Sequence, residues 1–577
     1  MAGDPAVHLC DVLVIGSGAG GLAAAVTARF HGLDVLVVEK EPVFGGTTAW
    51  SGGWMWIPRN PLAQRAGIVE DKRAPRAYLE HELGNRFDAA RVDAFLDAGP
   101  RMVAFFERHT ALRFVDGNKV PDIHGQVPGA ALGGRSVCAA PFDGRRLGSL
   151  KDKLRPPLPE IAFLGMGIAA GADLAHFLNV RHSIRSAVHV GRRFGRHLVD
   201  LALHRRGMQL VNGNALAARL GKSAVDLGVE LWLASPAKRL IEEGGAIRGA
   251  LVGHPQGEVT VRARRGVVLA CGGFPYDVAR RRELFPHAPT GREHWSAAPR
   301  SNTGDGLRLG EAVGAQVDTS LAAAGAWAPV SLVPRRDGSV GHFPHFIDRA
   351  KPGVVAVLAN GRRFVNEADG YHDFVEGLLR AVELGEEVAC WLICDHRFQR
   401  RYGLGFAKPS PLPLAPYLRS GYLKRGRTIE ELAGACAIDP AGLARTVEAF
   451  NAHARRGEDP AFGRGSTPYN RVQGDPDHHP NPCVAPIEHR PFYAVKIVPG
   501  SLGTFAGLRT DAKARVLDAR GQPILGLHAV GADMASVMGG TYPAGGINLG
   551  PAMTFGYIAA RHLAGLAEDN EDVADAA

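Results

Sequence analysis

Cysteine is scarce and shows no pairing pattern. Cys10, Cys138, Cys271, Cys390, Cys394, Cys436 and Cys483 are scattered through 577 residues, odd in number and without a C-x-x-C step. That distribution speaks against a disulfide framework, a zinc site and an iron–sulfur cluster, so no metal is expected. Thiols left reduced point to the cytoplasm. Long apolar runs are also missing, since the stretch 161–170 is too short to cross a bilayer. The first apolar run, 12–16, follows Asp11 and enters a glycine turn at once, unlike the core of a secretory leader. No nucleic-acid-binding module accompanies the net charge of +9 and the pI near 9.3, so a nucleic-acid partner is not expected.

Glycine is plentiful, at 73 residues. Hydrophobic residues at 46% and charged residues at 22% are ordinary for a globular chain, and the length calls for two or three domains. Residues 11–16 (DVLVIG) read as a buried parallel strand, 19–31 as an Ala-rich helix and 33–39 (LDVLVVE) as a second buried strand. This is a βαβ unit. A helix is expected over 87–108, irregular chain over 112–160, strand–helix–strand over 209–233, and a buried strand in GVVLACGGF, 266–274. A closing helix over about 550–566 precedes an acidic tail, 567–577, expected to fray. The expected fold class is α/β. Residues 1–275 and 484–566 form a discontinuous Rossmann-like domain, with 112–207 as an irregular and basic helical insertion. Residues 276–483 form an inserted α+β capping domain.

Between 181 and 207, seven arginines (Arg181, Arg185, Arg192, Arg193, Arg196, Arg205 and Arg206) interleave with Ile184, Val188, Phe194, Leu198 and Leu201. A basic amphipathic helix of this kind either makes peripheral contact with a membrane or an acidic partner, or is a solvated face packed by its apolar side.

Gly16-Ser17-Gly18-Ala19-Gly20-Gly21 satisfies G-x-G-x-x-G between a strand and a helix. Gly16 allows the tight turn, Gly18 lets backbone approach a pyrophosphate, and Gly21 lets helix and strand pack closely. Glu39 ends the second strand 23 residues after Gly16, where a carboxylate can accept from ribose hydroxyls. The pattern establishes a dinucleotide site and leaves NAD and FAD both open.

Further blocks follow in order. They are Lys40-Glu41, Phe44-Gly45-Gly46-Thr47-Thr48, Ser51-Gly52-Gly53, Ser235-Pro236-Ala237, Ala270 with Gly272 and Gly273, Thr303-Gly304-Asp305-Gly306, Gly531-Ala532-Asp533 and Gly546-Ile547-Asn548-Leu549. Together they resemble the flavoprotein family of succinate dehydrogenase, fumarate reductase and 3-ketosteroid dehydrogenases. The resemblance implies FAD, with Lys40 and the segment 45–53 along its diphosphate, ribityl chain and ring. It further implies backbone at Ala237 on the adenine, Asp305 as a structural or ribityl-side acceptor, and the terminal blocks at the ribityl chain and pyrimidine edge. His8 and His31, the two histidines among the first 60 residues, stand in no flavinylation context, so non-covalent FAD is expected.

The dicarboxylate reductases of that family need a His and an Arg in two late segments. Here those segments read Ser501-Leu502-Gly503-Thr504-Phe505 and Gly539-Gly540-Thr541-Tyr542-Pro543-Ala544-Gly545-Gly546, with no cation to meet a diacid. The stretches 536–543 and 551–557, and Gly361-Arg362-Arg363-Phe364-Val365-Asn366-Glu367 with Tyr371 after it, resemble the 3-ketosteroid Δ1-dehydrogenases. That likeness implies Tyr542 and the Gly546 N–H as holders of a ketone oxygen and Tyr371 as the proton acceptor. The substrate implied is an apolar cyclic ketone, a steroid, with a quinone or other carrier as electron acceptor. The family's assisting Tyr is missing from the loop Val120-Pro121-Asp122-Ile123-His124, ahead of Gly133-Gly134-Arg135-Ser136. There His124 is either a substitute polariser or an ordinary loop histidine, and Tyr371 either a base or a loop anchor. A reductase of an activated C=C bond and a flavin-bound scaffold without turnover are the alternative functions.

Overall fold

Two glycine-bounded apolar runs pair side by side. Strand β1 (Ala6–Ile15) lies parallel to β2 (Val35–Val38), with Val12 opposite Val35 and Ile15 opposite Val38. Every residue of β2 is buried, as expected of a parallel strand covered on both faces. Helix α1 (Ala19–Phe30) joins the two strands, and its small residues lie against the closing helix Leu549–Leu563. The computed structural model describes residues 6–567 except 170 and 384, so all but the first residue of the expected tail lies outside the described residues.

The first sheet runs in the order Arg515–Leu517, Pro523–Ala529, Gly257–Leu269, β1, β2, Glu230–Trp232. Strand Gly257–Leu269 is parallel to both β1 and Pro523–Ala529, so segments from the two ends of the sequence share one α/β sheet. A hairpin, Ala237–Glu243 and Ala246–His254, extends it.

The second sheet is mostly antiparallel, in the order Val340–Pro344, Gly325–Pro334, Phe492–Thr504, Cys390–Cys394, Val354–Val357. Its central strand corrects the boundary expected at 484. Phe492–Thr504 pairs with Gly325–Pro334 on one side and Cys390–Cys394 on the other, so the chain rejoins the first sheet only after Thr504. The strand is buried along nearly its whole length, so its apolar run looks the same as one from the parallel sheet. Residues 112–160 are also more ordered than expected. Phe114–Asp116 and Ser136–Ala139 form a three-stranded sheet with Trp54–Trp56.

The basic segment forms the helix Ile184–His204. Phe194 and Leu201 line a large cavity, while Ile184, Val188, Leu198, Val199 and Leu203 are exposed. No helix among the described residues is long and apolar enough to cross a membrane.

Candidate active site

Glycines at the β1–α1 turn set the floor of the site. Gly16 has φ +111°, and a Cβ there would lie 2.2 Å from the Ala270 oxygen. A Cβ on Gly21 would lie 2.1 Å from the Gly16 oxygen. Gly18 and Gly46 instead face open space, where the atoms nearest an added Cβ are Thr48 Oγ1 at 3.7 Å and Gly18 Cα at 3.8 Å. Helix α1 has no cap from Gly18 and no acid in its first turn, and of its leading N–H groups that of Ala19 donates to Thr48 Oγ1 at 2.9 Å. Its positive end is therefore free to meet a pyrophosphate, and the cradle fits FAD. A cavity of about 2450 Å³ opens here and is lined by residues of both sheets' domains. That exceeds the roughly 300–1,000 Å³ of an ordinary small-molecule site and leaves room for a dinucleotide and a second ligand.

All the expected cofactor contacts except Gly21, Gly45, Gly273 and Asp533 line this cavity. Those four stand behind its wall. Buried Asp533 accepts from the backbone N–H of Cys271 (2.5 Å) and Gly273 (2.9 Å), bracing the loop that does face inward. Burial pushes its carboxyl pKa up. Glu39 is fixed at the cavity's edge, accepting from Ser17 N (3.1 Å), Ser17 Oγ (2.5 Å) and Glu41 N (3.0 Å). Lys40 is paired with Asp305 and reaches Thr303 Oγ1 at 3.1 Å; Asp305 also takes Arg308. Two further lining residues were not singled out in the sequence, the first at an unspecified position of the glycine motif. One is Ser17; the other is Asn302, whose amide donates to Thr47 Oγ1 and the Gly272 carbonyl, each at 3.0 Å.

Tyr371 opens the helix Tyr371–Ala381, and the chain before it is anchored by buried charge. Glu367 takes Arg363 at 2.7 Å, Arg464 at 3.1 Å and the Ala356 N–H at 3.0 Å. Arg349 donates to the Glu367 carbonyl at 2.7 Å and lies over the Phe374 ring. Tyr542 meets Tyr371 edge-on, with ring centroids 4.8 Å apart. The Asn548 amide donates to the Tyr542 oxygen at 3.2 Å, tying the terminal glycine segment to the phenol pair. Burial pushes the Tyr542 phenol up to about 12; burial, with Tyr542 beside it, lifts Tyr371 well above the ordinary phenol. Both are O–H groups near neutral pH. Gly546 has φ +102°, and a Cβ there would lie 2.7 Å from Trp56 N. Its N–H has no acceptor among the described residues, and the residue lines the same cavity. One O–H and one N–H thus open on a common space, an arrangement able to hold a carbonyl oxygen.

The loop 120–124 passes close by, with Ile123 N donating to the Pro543 carbonyl at 2.9 Å. Buried Arg135 holds it through Asp122 at 2.5 Å, and Asp122 also accepts from Trp56 Nε1 at 2.9 Å. His124 does not line the cavity. Its ring lies between Glu82 (2.8 Å) and Asp373 (3.2 Å). Burial disfavours its charge, but the hydrogen bonds to Asp373 and Glu82 carry its pKa up to about 10. A charged imidazole clamped by two carboxylates is a strut between segments.

A third phenol, Tyr469, carries no sequence signal and emerges only from the fold. It sits in the helix Pro468–Gln473, whose Pro468 Cδ is 3.7 Å from where a Cβ on Gly125 would lie. Tyr469 is 6% exposed and lines the cavity together with Tyr371 and Tyr542, and its hydroxyl makes no hydrogen bond among the described residues.

A dinucleotide cradle opening on the cavity that Tyr542 and Gly546 line fits a flavoprotein oxidoreductase. The FAD binding domain family matches residues 11–549. The chain is 43% identical to the 4-oxocyclohex-2-ene-1-carboxylate 5-dehydrogenase of Sinomonas cyclohexanicum, over 98% of this chain and 95% of that one. It is 36% identical to the 3-oxosteroid 1-dehydrogenase of Mycobacterium tuberculosis, over 96% and 98% respectively. Among solved structures, the 3-ketosteroid Δ1-dehydrogenase of Sterolibacterium denitrificans, in complex with 1,4-androstadiene-3,17-dione, matches with a TM-score of 0.89. That match has 36% identity and covers 96% of this chain and 99% of the other. The chain belongs to the FAD binding domain family and, within it, to the 3-ketosteroid Δ1-dehydrogenases. Its cofactor is FAD, and it is an oxidoreductase acting on CH–CH bonds next to a ketone.

Proposed function

We propose that the chain desaturates the CH–CH bond beside the ketone of a cyclic substrate, as in 1,2-desaturation of a 3-oxosteroid. The observation that carries this reading is the opening of the Tyr542 hydroxyl and the Gly546 N–H onto one cavity, with Tyr371 against Tyr542. Each donor to the ketone oxygen is worth roughly 3–4 kcal/mol as negative charge gathers there. The adjacent C–H is acidified, and Tyr371 receives its proton while passing its own hydroxyl proton onward. The Tyr469 hydroxyl opens on the same space and is the group in place to relay that proton, accepting it on oxygen while giving its own hydroxyl proton to solvent. Bound FAD supplies the acceptor for the hydride of the neighbouring carbon. A quinone or another carrier is the proposed outlet for the electrons.

A second reading, a cyclic ketone bearing a carboxylate, is supported by the relative named for 4-oxocyclohex-2-ene-1-carboxylate and by a cation in the cavity. Anaerobic mixing with a 3-oxosteroid and with that ketone acid tests both. Loss of flavin absorbance near roughly 450 nm marks the substrate, and no loss with either refutes the reaction.

A further inference from the structure

Most cations of the cavity are already answered. Lys40 is paired with Asp305, Arg401 with Asp475 at 2.8 Å, and Arg155 with Glu41 at 3.5 Å. Lys351 donates to the carbonyls of Gln473 (2.8 Å) and Gly474 (2.6 Å). Arg206 donates to the Leu154 carbonyl at 3.1 Å, and Lys119 and Arg205 are exposed; Lys408 is half-buried. Its ammonium lies 5.6 Å from the Phe343 ring centroid and 5.5 Å from that of Phe406, and among the described residues it donates only to the backbone carbonyl of Glu160, at 3.5 Å. No carboxylate lies within ion-pair distance of it among the described residues. Glu160 Oε1 is taken by Arg335 at 2.9 Å, its Oε2 stays buried without a hydrogen bond, and Asp348 Oδ2 accepts from His345 at 2.6 Å and the Gly405 N–H at 3.2 Å.

An ammonium in apolar surroundings is costly unless a negative group meets it. Burial pulls the Lys408 pKa down to about 8, against the opposing pull of Asp348 and Glu160. The two aromatic faces orient the charge without neutralising it. The same wall leads to the phenols. Phe346 is three residues beyond Phe343 and meets the Tyr371 ring edge-on at 5.3 Å, and Phe343, Phe346, Tyr371 and Lys408 all line the one cavity.

We propose that Lys408 binds a carboxylate carried by the ketone substrate, so that the enzyme acts on anionic cyclic ketones. This rests on the ketone reading above and narrows its substrate class. A single carboxylate oxygen meeting the ammonium is a charge-assisted hydrogen bond. Its loss costs about ten-fold or more in affinity.

The test compares wild type, Lys408→Met and Lys408→Arg on four ketones. They are 4-oxocyclohex-2-ene-1-carboxylate, its methyl ester, a 3-oxosteroid ending in a carboxylate, and the methyl ester of that steroid. The expected result is a fall of about ten-fold or more in the acid-to-ester ratio of kcat/KM for Lys408→Met, carried by KM, with the ratio restored in Lys408→Arg. The short and long acids report how far the carboxylate reaches. An unchanged acid-to-ester ratio for both pairs overturns the proposal. If no ketone is turned over, the reaction reading fails separately. Equilibrium binding of the two acids, read from perturbation of the flavin spectrum, then decides the role of Lys408, and equal affinity in wild type and Lys408→Met refutes it.

Discussion

Replacing Tyr542 by Phe removes one atom and leaves the ring in place, which makes it the sharpest perturbation of the proposed carbonyl-holding pair. The ring keeps its edge-on contact with Tyr371 at 4.8 Å and its packing against Phe505, whose centroid is 5.9 Å away. What is lost is a donor to the ketone oxygen, together with the acceptor for the Asn548 amide at 3.2 Å. The loss of a neutral hydrogen bond costs stability only about 1 kcal/mol. Deleting an oxyanion donor costs about 10²–10³ in kcat, or roughly 2.7–4 kcal/mol of transition-state stabilisation. Stopped-flow reduction of the flavin under anaerobic conditions reads this step directly, before any reoxidation. The variant is expected to retain its flavin and to reduce it some hundred-fold or more slowly. A rate within about three-fold of wild type would remove Tyr542 from the chemistry, because no oxyanion donor is worth so little.

Three more outcomes follow from the same geometry. Tyr469→Phe breaks no hydrogen bond among the described residues, so its melting temperature should hold while kcat falls about 10²-fold and the pH–rate profile shifts; an unchanged profile would make Tyr469 a packing residue. Gly21→Ala forces a Cβ to 2.1 Å from the Gly16 oxygen, and thermal denaturation with flavin quantitation should show a loss of about 3 kcal/mol or more and depleted cofactor. His124, with its folded pKa raised to about 10, keeps its proton in the folded chain over a range where the unfolded chain releases it. Its contribution is full below about pH 6.5, the unfolded value, and is lost as pH rises to about 10. Denaturant titrations of His124→Gln should show a shallower decline of stability across that window, and a slope equal to wild type would rule out the clamp.

The cofactor turn was legible because its physics is local. Gly16 needs a left-handed φ and Gly21 a bare Cα within a few residues of chain, and the spacing records both. The strand Phe492–Thr504 fell inside the expected Rossmann-like part 484–566 yet pairs in the second sheet, because burial on both faces erases the alternation that separates antiparallel from parallel strands. The missing loop tyrosine was read correctly as absent, yet the place of Tyr469 is non-local. It comes from a short helix of the capping domain and reaches the cavity only through the packing of Pro468 on the loop at Gly125. His124 was open in sequence as either a substitute polariser or an ordinary loop histidine, and it is held between Glu82 and Asp373, partners 42 and 249 residues away. Lys408 stands in a Pro-rich loop with no motif around it; its setting between the Phe343 and Phe406 rings, without a carboxylate at ion-pair distance among the described residues, shows only in the fold.

The central claim is that a ketone oxygen held by Tyr542 and Gly546 directs desaturation of the adjoining CH–CH bond. Anaerobic single-turnover mixing of the holoenzyme with a panel of cyclic ketones, steroidal and carboxylated, tests it most directly when product structure is read alongside flavin absorbance. The account predicts bleaching with at least one member of the panel and one new C=C bond, conjugated with the ketone, per flavin reduced. A flavin that stays oxidised across the whole panel, or a product desaturated away from the ketone, would contradict it.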